Sequence, residues 1–119
     1  MKKDKIKCLF GTNESARVVI KKGFVDEVII DCRPVLVGIY ESKKDGWVSV
    51  DINTGMALLK HSKTSEQCFE ETKEMLQNRG YRRIKQCRKK AKQVYQRVYE
   101  SEEWLNGKGN SKDSKSVNG

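Results

Sequence analysis

The chain has a single histidine, a single proline and no two cysteines at CxxC spacing. With His61 as the lone imidazole, the Ser and Cys residues offer no believable nucleophile–base set. His61 also makes no zinc-like spacing with Cys8, Cys32, Cys68 and Cys87, which are widely separated and read as buried thiols of a reducing compartment. Long apolar runs are missing too. The stretch Cys8–Leu9–Phe10 is too short for a signal-peptide core, and no window approaches a membrane span. A glycine-rich loop of the kind that cradles phosphate is absent. These absences predict a soluble, cytoplasmic, non-membrane protein without metal or cofactor, and a binding role in preference to an enzymatic one.

Carboxylates are lacking in one place in particular. From Met75 to Tyr99 there are nine Lys or Arg and no Asp or Glu. Over all 119 residues the net charge is +9, with hydrophobic content of 36% and charged content of 34%. That composition suits one compact domain with a modest core. The basic surplus points to a polyanionic or acidic partner: nucleic acid, an anionic membrane surface or an acidic protein face.

The first half alternates with period two. Ile6, Cys8 and Phe10 oppose Lys5 and Lys7, and Val18 and Ile20 oppose Arg17 and Lys21, as in half-buried strands. Gly23 is expected to turn the chain into FVDEVIID, which closes at Cys32–Arg33–Pro34. Asp45–Gly46 marks a hairpin between VLVGIYES and WVSVDI, and Asn53–Thr54–Gly55 a second turn into MALLKHS. The period then changes. Thr64 and Gln67 form a capping-box signal, Cys68, Phe69, Met75 and Leu76 share a helix face, and Gly80 is a stop. Ile84, Cys87, Ala91, Val94, Val98 and Leu105 step by three and four, with Ser101 a polar break. The fold class expected is α+β: an antiparallel meander of up to six short strands followed by two helices, the second long and basic. In residue numbers, one domain covers 1–105, with the sheet over 4–62, helices over 64–79 and 82–105, and a flexible polar tail over 106–119.

On that second helix, Arg82, Lys85, Lys89 and Lys92 form one row and Arg83, Lys90 and Arg97 another, with Arg88 among them and Tyr95 and Tyr99 bordering the apolar stripe. Like charges one turn apart cost a few tenths of a kcal/mol, roughly, per pair. Cations near a helix N-terminus, with Glu100, Glu102 and Glu103 near its end, oppose the helix dipole by about 0.3–1 kcal/mol each. Local stability would not select this pattern. The competing reading is neutralisation by Glu66, Glu70, Glu71 and Glu74 of the first helix, against which only Lys73 stands. An external partner is favoured, because one helix hairpin cannot cover both rows.

The stretch GWVSVDINTGMALLKHSKTSEQCFEETKEML, preceded by VLVGIYES, resembles the three-stranded, AP2-like DNA-binding domain of mobile-element tyrosine integrases. The matching features are the Trp47 strand, the Asn53–Thr54–Gly55 turn and the Glu-rich helix opened by Thr64. The resemblance implies a βββα unit whose open sheet face enters DNA, and a phage or mobile-element origin. With Val48, Val50 and Ile52 toward the helix, that open face would carry Trp47, Ser49 and Asp51, together with Lys43, Lys44 and Lys60. Asp51 departs from the basic character the family has there.

The function expected is therefore a non-enzymatic binding protein of a phage or mobile element. Its candidate contacts to nucleic acid or an acidic partner are Arg82, Arg83, Lys85, Arg88, Lys89, Lys90, Lys92, Arg97, Tyr95 and Trp47. A second reading is a stoichiometric inhibitor of a host defence nuclease, of the anti-CRISPR kind. A third is a metal-dependent nuclease built on Asp31 with Glu41 and Lys43, the D…ExK arrangement.

Overall fold

The structure, a computed structural model, describes residues 1–106. Most of the predicted tail lies outside these described residues. Five antiparallel strands, β1 (Lys2–Phe10), β2 (Arg17–Ile30), β3 (Arg33–Ser42), β4 (Gly46–Asp51) and β5 (Ala57–Ser62), pair in sequence order as a meander. Helices α1 (Ser65–Arg79), α2 (Tyr81–Val94), α3 (Gln96–Tyr99) and α4 (Glu102–Leu105) follow. The architecture is α+β.

Two of the predicted strands are one. β2 runs unbroken through Gly23, pairing with β1 along its first half and, from Phe24 on, with β3. Gly23 serves close approach here, not a turn. A Cβ at this position would lie 2.1 Å from the Ile39 carbonyl oxygen and 3.0 Å from Ile6 Cδ1. The strand bends there, and β1 with the first half of β2 folds back over the sheet. Ile6 and Cys8 thereby pack on Tyr40, Val48 and Val50, with Phe10, Val25 and Ile52 at the margin. Leu9 donates its N–H to the Gly55 carbonyl at 2.9 Å, drawing β1 to the β4–β5 turn and curling the sheet into a half-barrel. The other sheet face forms a second core with the helices: Val28, Ile30, Val35, Val37 and Ile39 against Cys68, Leu76 and Ile84.

This double coverage reverses the expected sidedness of β4. Val48 and Val50 point into the half-barrel, while Trp47, Ser49 and Asp51 face the helices. Both faces of β4 are buried, so neither is an open reading face. Ser49 is tolerated at full burial because the Thr72 hydroxyl of α1 donates to its Oγ at 2.7 Å.

The turns follow local chemistry. Asp31 and Cys32 both have positive φ, 50° and 65°, and make a two-residue hairpin between β2 and β3. Pro34 then sits inside β3, opposite Ile29, beyond the part of β3 that pairs with β4. Thr64 caps α1, accepting the Gln67 N–H at 3.1 Å, while Gln67 Oε1 accepts the Lys63 N–H at 3.2 Å. Gly80, at φ 83°, is the only residue between α1 and α2. A side chain there would be strained in this left-handed region.

The second helix is not the continuous rod expected over 82–105. It ends at Tyr95, and α3 and α4 turn the chain across the β4–β5 turn. Tyr99 donates its hydroxyl to the Thr54 carbonyl at 2.6 Å and meets Trp104 edge-on at 4.9 Å. Lys7 Nζ donates to the Trp104 carbonyl at 2.6 Å and stands 4.4 Å over its ring. Ser101, the polar break in the stripe, is the N-cap of α4. Cys8 and Cys68 are buried as expected, but Cys32 and Cys87 are exposed, one in the hairpin turn and one beside the inward face of α2.

Two outcomes follow from this packing. Gly23→Ala is expected to lower stability by roughly 1–3 kcal/mol, the usual cost of overpacking, measured by urea denaturation. Burial pushes the Cys8 thiol from 9.0 up to about 12, and pushes Tyr40 and Tyr99 from 10.0 up to about 12. The unfolded chain releases these protons first, so stability is intact below pH 9 and falls as pH rises from 9 toward 12. Denaturation midpoints across pH 7 to 11 check the sign, and Cys8→Ala is expected to flatten the decline.

Candidate polyanion-binding surface

α2 lies across one end of the half-barrel, starting beside the β2–β3 turn and passing the β4–β5 turn. Its N-terminus is held by Asp31, whose Oδ2 accepts the Tyr81 N–H at 2.8 Å. Its inward side is set by Ile84, Arg88 and Ala91, spaced four and three apart. Arg88 forms a two-pronged pair with Asp51: Nε to Oδ2 at 2.8 Å and the terminal nitrogen to Oδ1 at 3.0 Å. Arg88 and Asp51 keep only 16% and 8% of their side-chain surface. The Asp51 bond holds the Arg88 guanidinium above its ordinary pKa despite burial. Asp51 also accepts the Asn53 N–H at 3.2 Å, and its carbonyl takes the Gly55 N–H at 2.7 Å, so the same residue organises the β4–β5 turn.

With that side turned in, Arg82, Arg83, Lys85, Lys89, Lys90 and Lys92 are all exposed on one 14-residue helix. The structure brings these six together. Lys92 Nζ also stands 6.0 Å over the Tyr99 ring. The remaining four predicted contacts fall elsewhere. Arg88 points inward and belongs to the frame, a correction to the expectation that it faces a partner. Arg97 lies on α3, past the break at Tyr95. Tyr95 is half-buried and lines a cavity of about 360 Å³ with Glu14, Arg17, Val98 and Glu103. Trp47 is the second residue of β4, near the end far from Asp51, and packs at the edge of the helix-side core.

One cation beside this surface was missed by sequence reasoning. Arg33 stacks over the Tyr81 ring at 5.0 Å, beside the start of α2. Arg33 is 48 positions from Tyr81 and no local pattern announces the contact. Arg88 was legible in principle, as the one charge on the Ile84–Ala91 face.

The competing reading, neutralisation by α1, finds no ion pair between α1 and α2. Among the described residues the ion pairs are Arg88–Asp51 and the Met1 amino group with Asp26 at 3.7 Å. Of the α1 glutamates, Glu71 accepts the Ser62 hydroxyl at 2.8 Å, and Glu66 is held below the ordinary carboxylate range by its bond with Ser65. None reaches a cation of α2.

The D…ExK set is not brought together. Asp31 caps α2 at one end of β3, whereas Glu41 and Lys43 stand at the other, roughly 25–30 Å away at strand rise. Among the described residues no cluster of three His, Cys, Asp or Glu is placed to hold a metal ion. No described helix is long and apolar enough to cross a membrane. Compared with known protein families, curated proteins and solved structures, the chain shows no match.

The two kinds of cation on α2 predict opposite responses. Arg88→Met strands the Asp51 carboxylate and is expected to cost about 3 kcal/mol. Lys85→Glu, Lys89→Glu or Lys92→Glu singly is expected to change stability by no more than about 0.5 kcal/mol. Paired urea melts measure both.

Proposed function

We propose that this chain is a non-enzymatic binding protein whose exposed α2 face engages nucleic acid. One observation carries the reading: six exposed cations share one helix, and among the described residues none of them meets a carboxylate within 4.0 Å. Phosphates would be contacted first, with sequence contributing little. Tyr81 and Tyr99 are half-buried and buried, so they brace the helix instead of stacking on bases. Mobility shifts of duplex DNA at rising salt test the reading. With all six cations on phosphates, log K is expected to fall against log salt with a slope of about −5. The triple variant Lys85→Glu, Lys89→Glu, Lys92→Glu is expected to abolish the shift at moderate salt. No complex at low salt would end the proposal.

A second reading, a stoichiometric inhibitor of a nucleic-acid-handling enzyme such as a defence nuclease, is favoured by a different feature. Ile29 and Leu36 expose 53% and 46% of their surface on the part of the β2–β3 hairpin that β1 does not cover. With Pro34 opposite Ile29, they make an apolar patch that suits a protein surface and contributes nothing to phosphate binding. A pull-down with and without nuclease treatment separates the two: retention of a protein partner after treatment favours the second, and its loss favours the first.

A further inference from the structure

The outer wall of the folded-back β1–β2 hairpin carries a second set of cations, at the opposite end of the sheet from α2. Lys5 and Lys22 are directly opposed across the two strands, and Lys3 is opposed to Phe24 on the same face. All three lysines are exposed. Like charges directly opposite on neighbouring strands destabilise a sheet. The nearby acids are engaged elsewhere: Asp4 Oδ1 accepts the Lys5 backbone N–H at 2.7 Å, and Asp26 stands 3.7 Å from the Met1 amino group.

Of the other three lysines of these strands, Lys2 is exposed at the start of β1, and Lys7 and Lys21 have internal work. Lys7 is bound to Trp104, and Lys21 stands 5.5 Å over Phe10 and 5.7 Å over Tyr40 inside the half-barrel. Lysines on an edge strand protect against strand-to-strand aggregation, which accounts for Lys3 and Lys5 on β1. Lys22 lies in the half of β2 that pairs with β1 alone, since pairing with β3 begins at Phe24, and it faces Lys5 directly instead of a carboxylate.

Lys3, Asp4, Lys5, Lys22, Gly23 and Phe24 line an open cavity of about 560 Å³, within the range of small-molecule sites. The Phe24 ring is braced from behind by Trp47, 6.4 Å away and tilted by 33°. Ammonium groups around an aromatic ring are the components of a single-strand platform: the base stacks on the ring while the phosphates meet the lysines. A duplex keeps its bases stacked within and cannot use the ring.

We propose that this depression binds single-stranded nucleic acid, with a base on Phe24 and flanking phosphates on Lys3, Lys5 and Lys22. The proposal rests on the reading of the chain as a nucleic-acid binder and adds a site that discriminates single strands from duplex. The test is fluorescence anisotropy with a labelled oligothymidylate and with a duplex of equal length, at one fixed salt concentration. Lys22→Glu and Phe24→Leu are each expected to weaken oligothymidylate binding about tenfold and to leave duplex binding unchanged. Lys22→Glu replaces a repulsive cross-strand pair with an attractive one, so its melting temperature should equal or exceed that of the wild type, and lost binding cannot be ascribed to unfolding. Oligothymidylate affinity unaltered by both variants overturns the site. So does an equal loss on the duplex, which would reduce it to bulk charge. The α2 triple variant keeps the two claims apart: full duplex binding by that variant ends the α2 reading, while the single-strand loss in Lys22→Glu still supports this one.

Discussion

The two-pronged bond between Arg88 and Asp51 decides what the rest of α2 can be. An amphipathic helix with only Ile84 and Ala91 buried has little apolar material to fix its rotation. A guanidinium inserted on that same side, and matched in plane to a carboxylate, supplies the missing constraint. Asp51 in turn sits where β4 gives way to the Asn53–Thr54–Gly55 turn, and that turn receives both the Tyr99 hydroxyl and the β1 backbone. Helix rotation, turn geometry and closure of the half-barrel therefore share one residue.

The curled sheet explains why so small a chain supports two cores. A flat meander with helices on one side would leave Val48, Val50 and Ile6 in water. Bending at Gly23 lets a single hairpin cover the second face without further elements. The cost is a strand with no solvent side, and Ser49 and Asp51 on β4 are acceptable only because Thr72 and Arg88 complete them.

Much of the fold could be read from local chemistry. The change from alternation to three-and-four spacing near Thr64, the cap itself, and the turns at Asp45–Gly46 and Asn53–Thr54–Gly55 all appear where the residues dictate. The sidedness of β4 did not, since Val–Ser–Val–Asp alternates as a one-faced strand does, and its second cover comes from residues some 40 positions upstream. Gly23 reads equally as a turn or a close approach until Ile39 is placed beside it. For the surface, the six outward cations of α2 were legible from spacing, whereas the inward role of Arg88 depends on a carboxylate 37 positions away. Lys22 was invisible as a site residue because its meaning comes from Lys5 across the strand pair.

Gly80 joins a helix rich in glutamate to one rich in lysine and arginine without an intervening loop. Leu76 of the first and Ile84 of the second enter the same core, so helices of opposite charge are fixed as neighbours on one side of the sheet. A glutamate-bearing face and a lysine- and arginine-bearing face thus meet at a single residue. Any charged body that approaches the helix side of the sheet therefore meets both signs within one helix hairpin, and its orientation decides which it meets first.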